Sequence, residues 1–258
     1  MRKLGTACGP TRLRIGNRLD DPDSKRELNK RLFSKIAAEY RWMPAALSLG
    51  RDSGWKRHLV QTLPDLPKPF CVDLACGDGD LTRRLARRFP DGAVVGLDLT
   101  PAMLSRARRL TTQANVRYAE ADMGATGLAS ESADIVTGGY ALRNAPDLDE
   151  TIGEIARILR PGGWAGFLEF MRWPSRIGGA LEIGVLRVWG GLWGMLLHGN
   201  PAVYGYIAAS LRRFPTRMEL IARFAERGLH LVSASPCLFG VTAILLFRKD
   251  GQCREASE

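Results

Sequence analysis

The sequence predicts an α/β fold, a mostly parallel sheet with helices on both faces and an antiparallel last strand. Short apolar strand patterns alternate with helical ones from residue 70 onward, as repeated strand–helix crossovers require. The last two strand patterns, 229–235 and 241–248, leave no room for a crossover helix and must be antiparallel neighbours. A chain of 258 residues suits one such domain and is short for two. Its expected span is 24–250, with a helical insert over about 174–217, a basic start at 1–23 and a tail at 251–258.

Leu28, Leu32 and Ile36 mark a helical stripe within 24–63, with a second apolar group around Leu47. Pro64, Pro67 and Pro69 then punctuate the approach to strand one at 70–74. The turn Gly77-Asp78-Gly79 leads into a helix carrying Leu81, Leu85 and Phe89. Strand two spans 93–97, and Thr100-Pro101 opens the next helix with proline at its favoured first position. Strand three falls near 116–119 and strand four at 134–137. A loop reaches Asn144, a helix spans about 149–159, Pro161-Gly162-Gly163 stops it, and strand five is 164–170. After the insert a helix near 217–227 precedes the final strands.

The strand–turn–helix at 70–89 suits a nucleotide-like ligand, because Gly77 and Gly79 let the backbone approach it closely. Asp98, nineteen residues beyond Gly79, ends strand two, where a carboxylate can accept both hydrogen bonds of a ribose diol. A dinucleotide site would show a third glycine and lead a pyrophosphate onto the helix. Here Asp80 follows the second glycine and Asp73 lies four residues before the first. These acids disfavour a pyrophosphate and suit a ligand carrying an amine and a sulfonium, so S-adenosylmethionine fits better than NAD.

Lys and Arg number 37 against 27 Asp and Glu, a formal net charge of +10. That balance attracts phosphate-bearing partners such as an anionic membrane surface. The basic residues are scattered and no RNA-binding motif accompanies them, so no nucleic-acid partner is expected. Five cysteines without C-x-x-C spacing indicate a reducing compartment, and the expected location is cytoplasmic. His58, His198 and His230 have no metal-ligand spacing, so no metal is expected. The basic start lacks an apolar stripe and reads as disordered rather than as a targeting segment. Glu182 and Arg187 interrupt the apolar stretch 177–198, which is too short to span a bilayer.

The layout, with its antiparallel last strand, resembles the Rossmann-like, seven-stranded S-adenosylmethionine-dependent methyltransferases. Within them the chain resembles the ubiquinone and menaquinone biosynthesis C-methyltransferases over about residues 36–248. The segments that carry this are 73–82, 96–104, Ala141-Leu142-Arg143-Asn144, 157–163, Phe167-Leu168-Glu169-Phe170 and Tyr204-Gly205-Tyr206 with Phe214-Pro215. Tyr40, Met43, Leu47, Ser48 and Trp55 keep the spacing of the family's N-terminal signature. In that signature its Asp, Asn and His places hold Arg41, Pro44 and Asp52. The resemblance implies that Asp122 and Met123 lie beside the adenine, and that Thr82 and Gly139 touch the methionine moiety. Asp122 could instead cap a helix, and Gly139 could be a turn glycine.

On the acceptor side, the resemblance points to a hydrophobic, prenylated hydroquinone methylated on carbon. That chemistry needs the ring to lose a phenolic proton. Arg143 can stabilise the phenolate, with Asn144 beside it, or it can form a surface salt bridge to Asp147 or Asp149. Tyr40, Tyr140, Tyr204 and Tyr206 are candidates to shape an aromatic pocket. The insert, with Trp189, Trp193 and Leu197 beside Arg176 and Arg187, suits a lipid-tailed substrate reached peripherally at the inner face of a membrane. An ordinary buried helix or a homodimer contact is the alternative. Methylation of another aromatic natural product, a non-methylating cyclase and a non-catalytic cofactor binder also remain open.

Overall fold

The computed structural model describes residues 19–37, 48–173, 175, 178–180, 183–185, 187–188, 191–193 and 202–251. One seven-stranded sheet forms the centre, ordered β3-β2-β1-β4-β5-β7-β6. The strands are β1 Phe70–Leu74, β2 Ala93–Asp98, β3 Val116–Glu120, β4 Ala133–Gly139, β5 Leu159–Phe170, β6 Leu229–Cys237 and β7 Thr242–Lys249. The first five run parallel, whereas β7 pairs antiparallel with both β5 and β6, as the short connection at 238–241 dictates. The order reverses between β1 and β4. A ligand crevice therefore opens at the carboxyl ends of those two strands.

The helices are α1 Pro22–Ile36, α2 Asp52–Thr62, α3 Asp80–Arg88, α4 Pro101–Leu110, α5 Leu148–Ile158, α6 Ala202–Arg213 and α7 Arg217–Ala225. Val72, Leu74, Phe167 and Phe247 pack with α5 and α7 in one core layer. Cys71, Ile135, Leu168 and Leu246 pack with α2 and α3 in the other. A third cluster joins α1, through Leu28, Leu32 and Ile36, to Tyr206 and Ile207 of α6. Asp21 caps α1 by accepting from Ser24 N–H at 2.8 Å, with Pro22 at the first turn.

One local expectation is corrected. The Pro161-Gly162-Gly163 run does not stop the preceding helix, which already ends at Ile158. It lies inside β5, where the register with β4 shifts between Ala133 and Ile135 and Gly162 adopts φ +76°. The extra residues form a bulge. Thr100 stands at the N-cap of α4 without a side-chain capping bond. Its backbone N–H donates to Asp98 Oδ1 instead. Tyr40, Met43, Arg176, Trp189, Leu197 and His198 lie outside the described residues. Among the described residues, no helix is long and apolar enough to cross a membrane.

Candidate active site

A cavity of about 570 Å³, counting its open mouth, lies at the carboxyl ends of β1, β2, β3 and β4. Seven predicted residues border it: Gly77, Asp98, Asp122, Met123, Gly139, Tyr140 and Asn144. Asn29 and Phe33 of α1 also line it, with Leu99 and Thr100 from the β2–α4 turn and Met103 from α4. Two non-glycine residues on its border have left-handed backbones, Ala75 at φ +48° and Tyr140 at φ +58°. Such conformations cost on the order of 1–3 kcal/mol and cluster at functional sites.

The first glycine of the turn donates its N–H to Asp98 Oδ2 at 2.8 Å, while Thr100 N–H holds Oδ1 at 2.8 Å. Asp98 is thus fixed at the cavity edge with one lone pair of each oxygen already taken. Burial raises its pKa, and the bonds from Gly77 and Thr100 oppose that rise. Gly79 has a packing duty as well. It does not border the cavity, and a methyl group built on it would meet Tyr118 Oη at 2.2 Å. The second glycine makes room for Tyr118 and supplies φ +78° at the start of α3.

Asp73 and Thr82 also lie behind the cavity rather than on it. Thr82 Oγ1 donates to Asp73 Oδ2 at 2.6 Å, and Thr137 Oγ1 donates to Oδ1 at 3.1 Å. These bonds tie the turn to β1 and β4. Asp122 is no helix cap. Its Oδ1 accepts from Gly124 N–H at 2.9 Å, and Oδ2 accepts from Arg26 Nε of α1 at 2.5 Å.

Behind Asn144 lies a buried charged cluster. Arg143 is not a surface residue and pairs with neither Asp147 nor Asp149. Its Nη1 donates to Ser210 Oγ at 2.9 Å, its Nε lies 3.7 Å from Glu169 Oε1, and its guanidinium sits 5.3 Å over the Phe170 ring. Burial raises the Glu169 pKa while Arg143 opposes it, and burial lowers Lys25 to about 8 with help from Arg143. Arg143 does not border the cavity. Asn144 does, anchored by its Nδ2 donating to Tyr140 O at 2.8 Å. Its Oδ1 is buried and has no hydrogen-bond partner among the described residues. An orphaned buried acceptor is costly unless a ligand supplies the donor.

Sequence reasoning missed Asn29. It stands on the buried face of α1, where Nδ2 donates to Asn144 O at 2.7 Å and Oδ1 accepts from Tyr206 Oη at 2.6 Å. A polar residue beside Leu28 on that apolar stripe was the available signal. Tyr206 is accordingly buried in the α1–α6 packing rather than free to line a pocket, and burial pushes its pKa up to about 12. Tyr40 lies outside the described residues. Tyr204 lies on α6, with its side chain outside the description.

The arrangement fits an adenosyl cofactor with an amino-acid end. Its border carries two acids, Asp98 and Asp122, apolar walls, and two glycines, Gly77 and Gly139. A model of the ubiE/COQ5 methyltransferase family matches residues 22–249. The chain is 36% identical over 216 residues to a demethylmenaquinone methyltransferase of Thermus thermophilus, covering 83% of this chain and 97% of that protein. It is 35% identical over 222 residues to a 2-phytyl-1,4-naphtoquinone methyltransferase of Thermosynechococcus vestitus, covering 84% and 97%. A solved S-adenosylmethionine-dependent methyltransferase from Mesorhizobium loti shares the fold with a TM-score of 0.56 at 17% identity, covering 76% of this chain and 98% of that one.

Proposed function

The chain belongs to the ubiE/COQ5 methyltransferase family, and we propose that it methylates a ring carbon of a prenylated hydroquinone of the demethylmenaquinol type. The observation that carries the reading is the convergence of Gly77, Asp98, Asp122, Gly139, Tyr140 and Asn144 on one cavity. The acceptor class is supported by relatives matched over 97% of their own length whose names specify naphthoquinone-type acceptors.

The enzyme uses S-adenosylmethionine, which supplies an electrophilic methyl group when bound. In the proposed arrangement Asp98 takes the ribose diol. Asp122, held by Arg26, takes the adenine amine, and Met123 packs against the base. Gly77 and Gly139 keep the passage toward the methionine end open, with Asp73 and Thr82 bracing the turn from behind. Tyr140 and Asn144 face the acceptor ring, and Asn144 Oδ1 receives the phenolic O–H. That proton passes to solvent water, the nearby Arg143 guanidinium stabilises the phenolate through its field and through the loop it anchors, and the ring carbon that takes the methyl group gives up its own proton to water in turn. Arg143 remains charged throughout and is a positioning and electrostatic residue, not the base. Tyr40 and Tyr204 are retained as acceptor-side candidates.

We place the enzyme at the cytoplasmic face of a membrane, attached peripherally. Exposed Trp173, Val185, Val188, Leu192 and Met218 support this, as do Arg172, Arg187, Arg212 and Arg217, which line hollows with Trp173 and Met218. Trp193, expected in this role, instead packs against the α1–α6 cluster.

The test supplies S-adenosylmethionine with reduced or oxidised prenylated naphthoquinone and reads product by mass spectrometry. The reduced form should gain one ring methyl and the oxidised form none. Absence of product from every prenylated hydroquinone, with turnover of an unrelated phenol, overturns the acceptor assignment.

A further inference from the structure

Lys56 is a buried ammonium group that the roles above leave unused. It lies on α2 one turn before Val60, and its Cε lies 3.7 Å from where a methyl group on Gly139 would sit. It therefore reaches Gly139 at the carboxyl end of β4, a residue that borders the cavity. Its Nζ lies 2.9 Å from Asp52 Oδ2 and donates to Asp80 Oδ2 at 3.3 Å. Asp80 Oδ1 is already taken by Arg84 Nε at 3.1 Å, and Asp78 faces Arg106. Burial disfavours the charge on Lys56, yet Asp52 and Asp80 outweigh it and hold its pKa above the ordinary value. Asp52 Oδ1 is buried with no hydrogen-bond partner among the described residues.

The electrostatics of the cavity make this cluster informative. Its described border contains two acids, Asp98 and Asp122, and no cation. A cofactor that ends in an amino acid brings a carboxylate, which needs a cationic partner there, and an ammonium, which needs an acceptor. An ammonium has three donors, and Lys56 has spent two on its aspartates. Asp52 has an unfilled oxygen. Where the family's N-terminal signature carries histidine, this chain supplies that carboxylate.

We propose that Lys56 and Asp52 form a clamp for the amino-acid end of the cofactor, Lys56 taking its carboxylate and Asp52 Oδ1 its ammonium. This rests on the cofactor reading. The experiment is calorimetry with S-adenosylhomocysteine and with 5′-methylthioadenosine, which keeps the adenosine and thioether but lacks the amino-acid end. Lys56→Met should weaken S-adenosylhomocysteine by about 10- to 150-fold, the range for one charge-assisted hydrogen bond, and leave methylthioadenosine within about twofold. Removing the ammonium alone leaves Asp52 and Asp80 repelling each other. The Asp52→Asn, Lys56→Met double variant restores the charge balance and should fold, bind methylthioadenosine as wild type does, and lose the preference for S-adenosylhomocysteine. Equal losses for the two ligands, or no loss for either, overturn the clamp. A wild-type protein that binds neither ligand overturns the cofactor reading as well. A wild-type protein that binds both equally overturns the clamp alone.

Discussion

Asp73 shows how a residue behind a site can set the pH behaviour of the whole fold. Burial pushes its carboxyl up to about 7, against the opposing pull of Thr82, Thr137 and Lys56. In the unfolded chain the same group loses its proton near pH ~4. Between those values the folded state holds a proton that the unfolded state has released. The Asp73 contribution to stability is therefore full below about pH 4 and is lost as pH rises toward 7, by up to about 1.4 kcal/mol per unit. Asp73→Asn stays neutral and should remove this slope. Urea midpoints at pH 5 and 8 would show the wild type losing more than the variant, and parallel losses would refute the assignment. Arg143 makes a second prediction at this scale. Arg143→Met should slow the chemical step by about 10²-fold with cofactor affinity unchanged. Because it also strands Glu169, the paired Glu169→Gln, Arg143→Met variant is the proper comparison. If single-turnover rates recover in the pair, Arg143 serves the fold and not the reaction. Asp98 and Gly77 were legible from spacing alone, since strand-end positions dictate where their groups point. The partner of Arg143 was not. Glu169 lies 26 residues away on β5, and only the adjacency of β4 and β5 brings the two together.

At the scale of elements, α1 decides how the cofactor side is closed. Its apolar stripe binds α6, while its polar side reaches the sheet through Arg26–Asp122 and Lys30–Glu120 at 3.0 Å. Asn29 joins the loop after β4 to α6, through Asn144 O and Tyr206 Oη. Asn29→Ala should leave the buried Tyr206 hydroxyl unsatisfied, costing about 1–3 kcal/mol. For a domain of this size that lowers Tm by roughly 2–4 °C per kcal/mol. Hydrogen exchange should quicken in α1 and α6 more than in β1 or β4, and a uniform increase would deny α1 its separate role. The alternation of strands and helices was readable because periodicity changes from 2 to 3.6 at each boundary. The Pro161-Gly162-Gly163 bulge was not, because the same residues serve equally as a helix stop. What distinguishes them is the pairing of Ala133 with Leu159 and of Ile135 with Trp164, a non-local fact.

At the scale of the whole molecule, the described residues bring arginines and exposed apolar side chains together near α6 and α7. Two adjoining hollows share Arg172 and Trp173. One is edged by Arg187 and Arg212, the other by Arg217 and Met218. Trp173 is 46% exposed and Met218 70%, large apolar surface beside arginines in a chain of net charge +10. Composition foretold the charge, but not where it gathers, because the arginines come from three separate segments of sequence. Each Arg near an anionic bilayer contributes about 1 kcal/mol that salt screens, whereas inserted Trp and Met add an apolar term that salt leaves intact. The protein should therefore sediment with anionic liposomes at low salt and be released only in part at high salt. In the Trp173→Ala, Met218→Ala variant the remaining binding should become fully salt-sensitive. Turnover of a long-tailed hydroquinone in vesicles should fall with it, while turnover of a short-tailed one in solution should not. The site itself lies elsewhere, at the ends of β1 and β4, so a variant that loses both activities equally has a damaged fold. A wild type that ignores liposomes and methylates the short acceptor as fast as the long one would remove the membrane from this enzyme's reaction altogether.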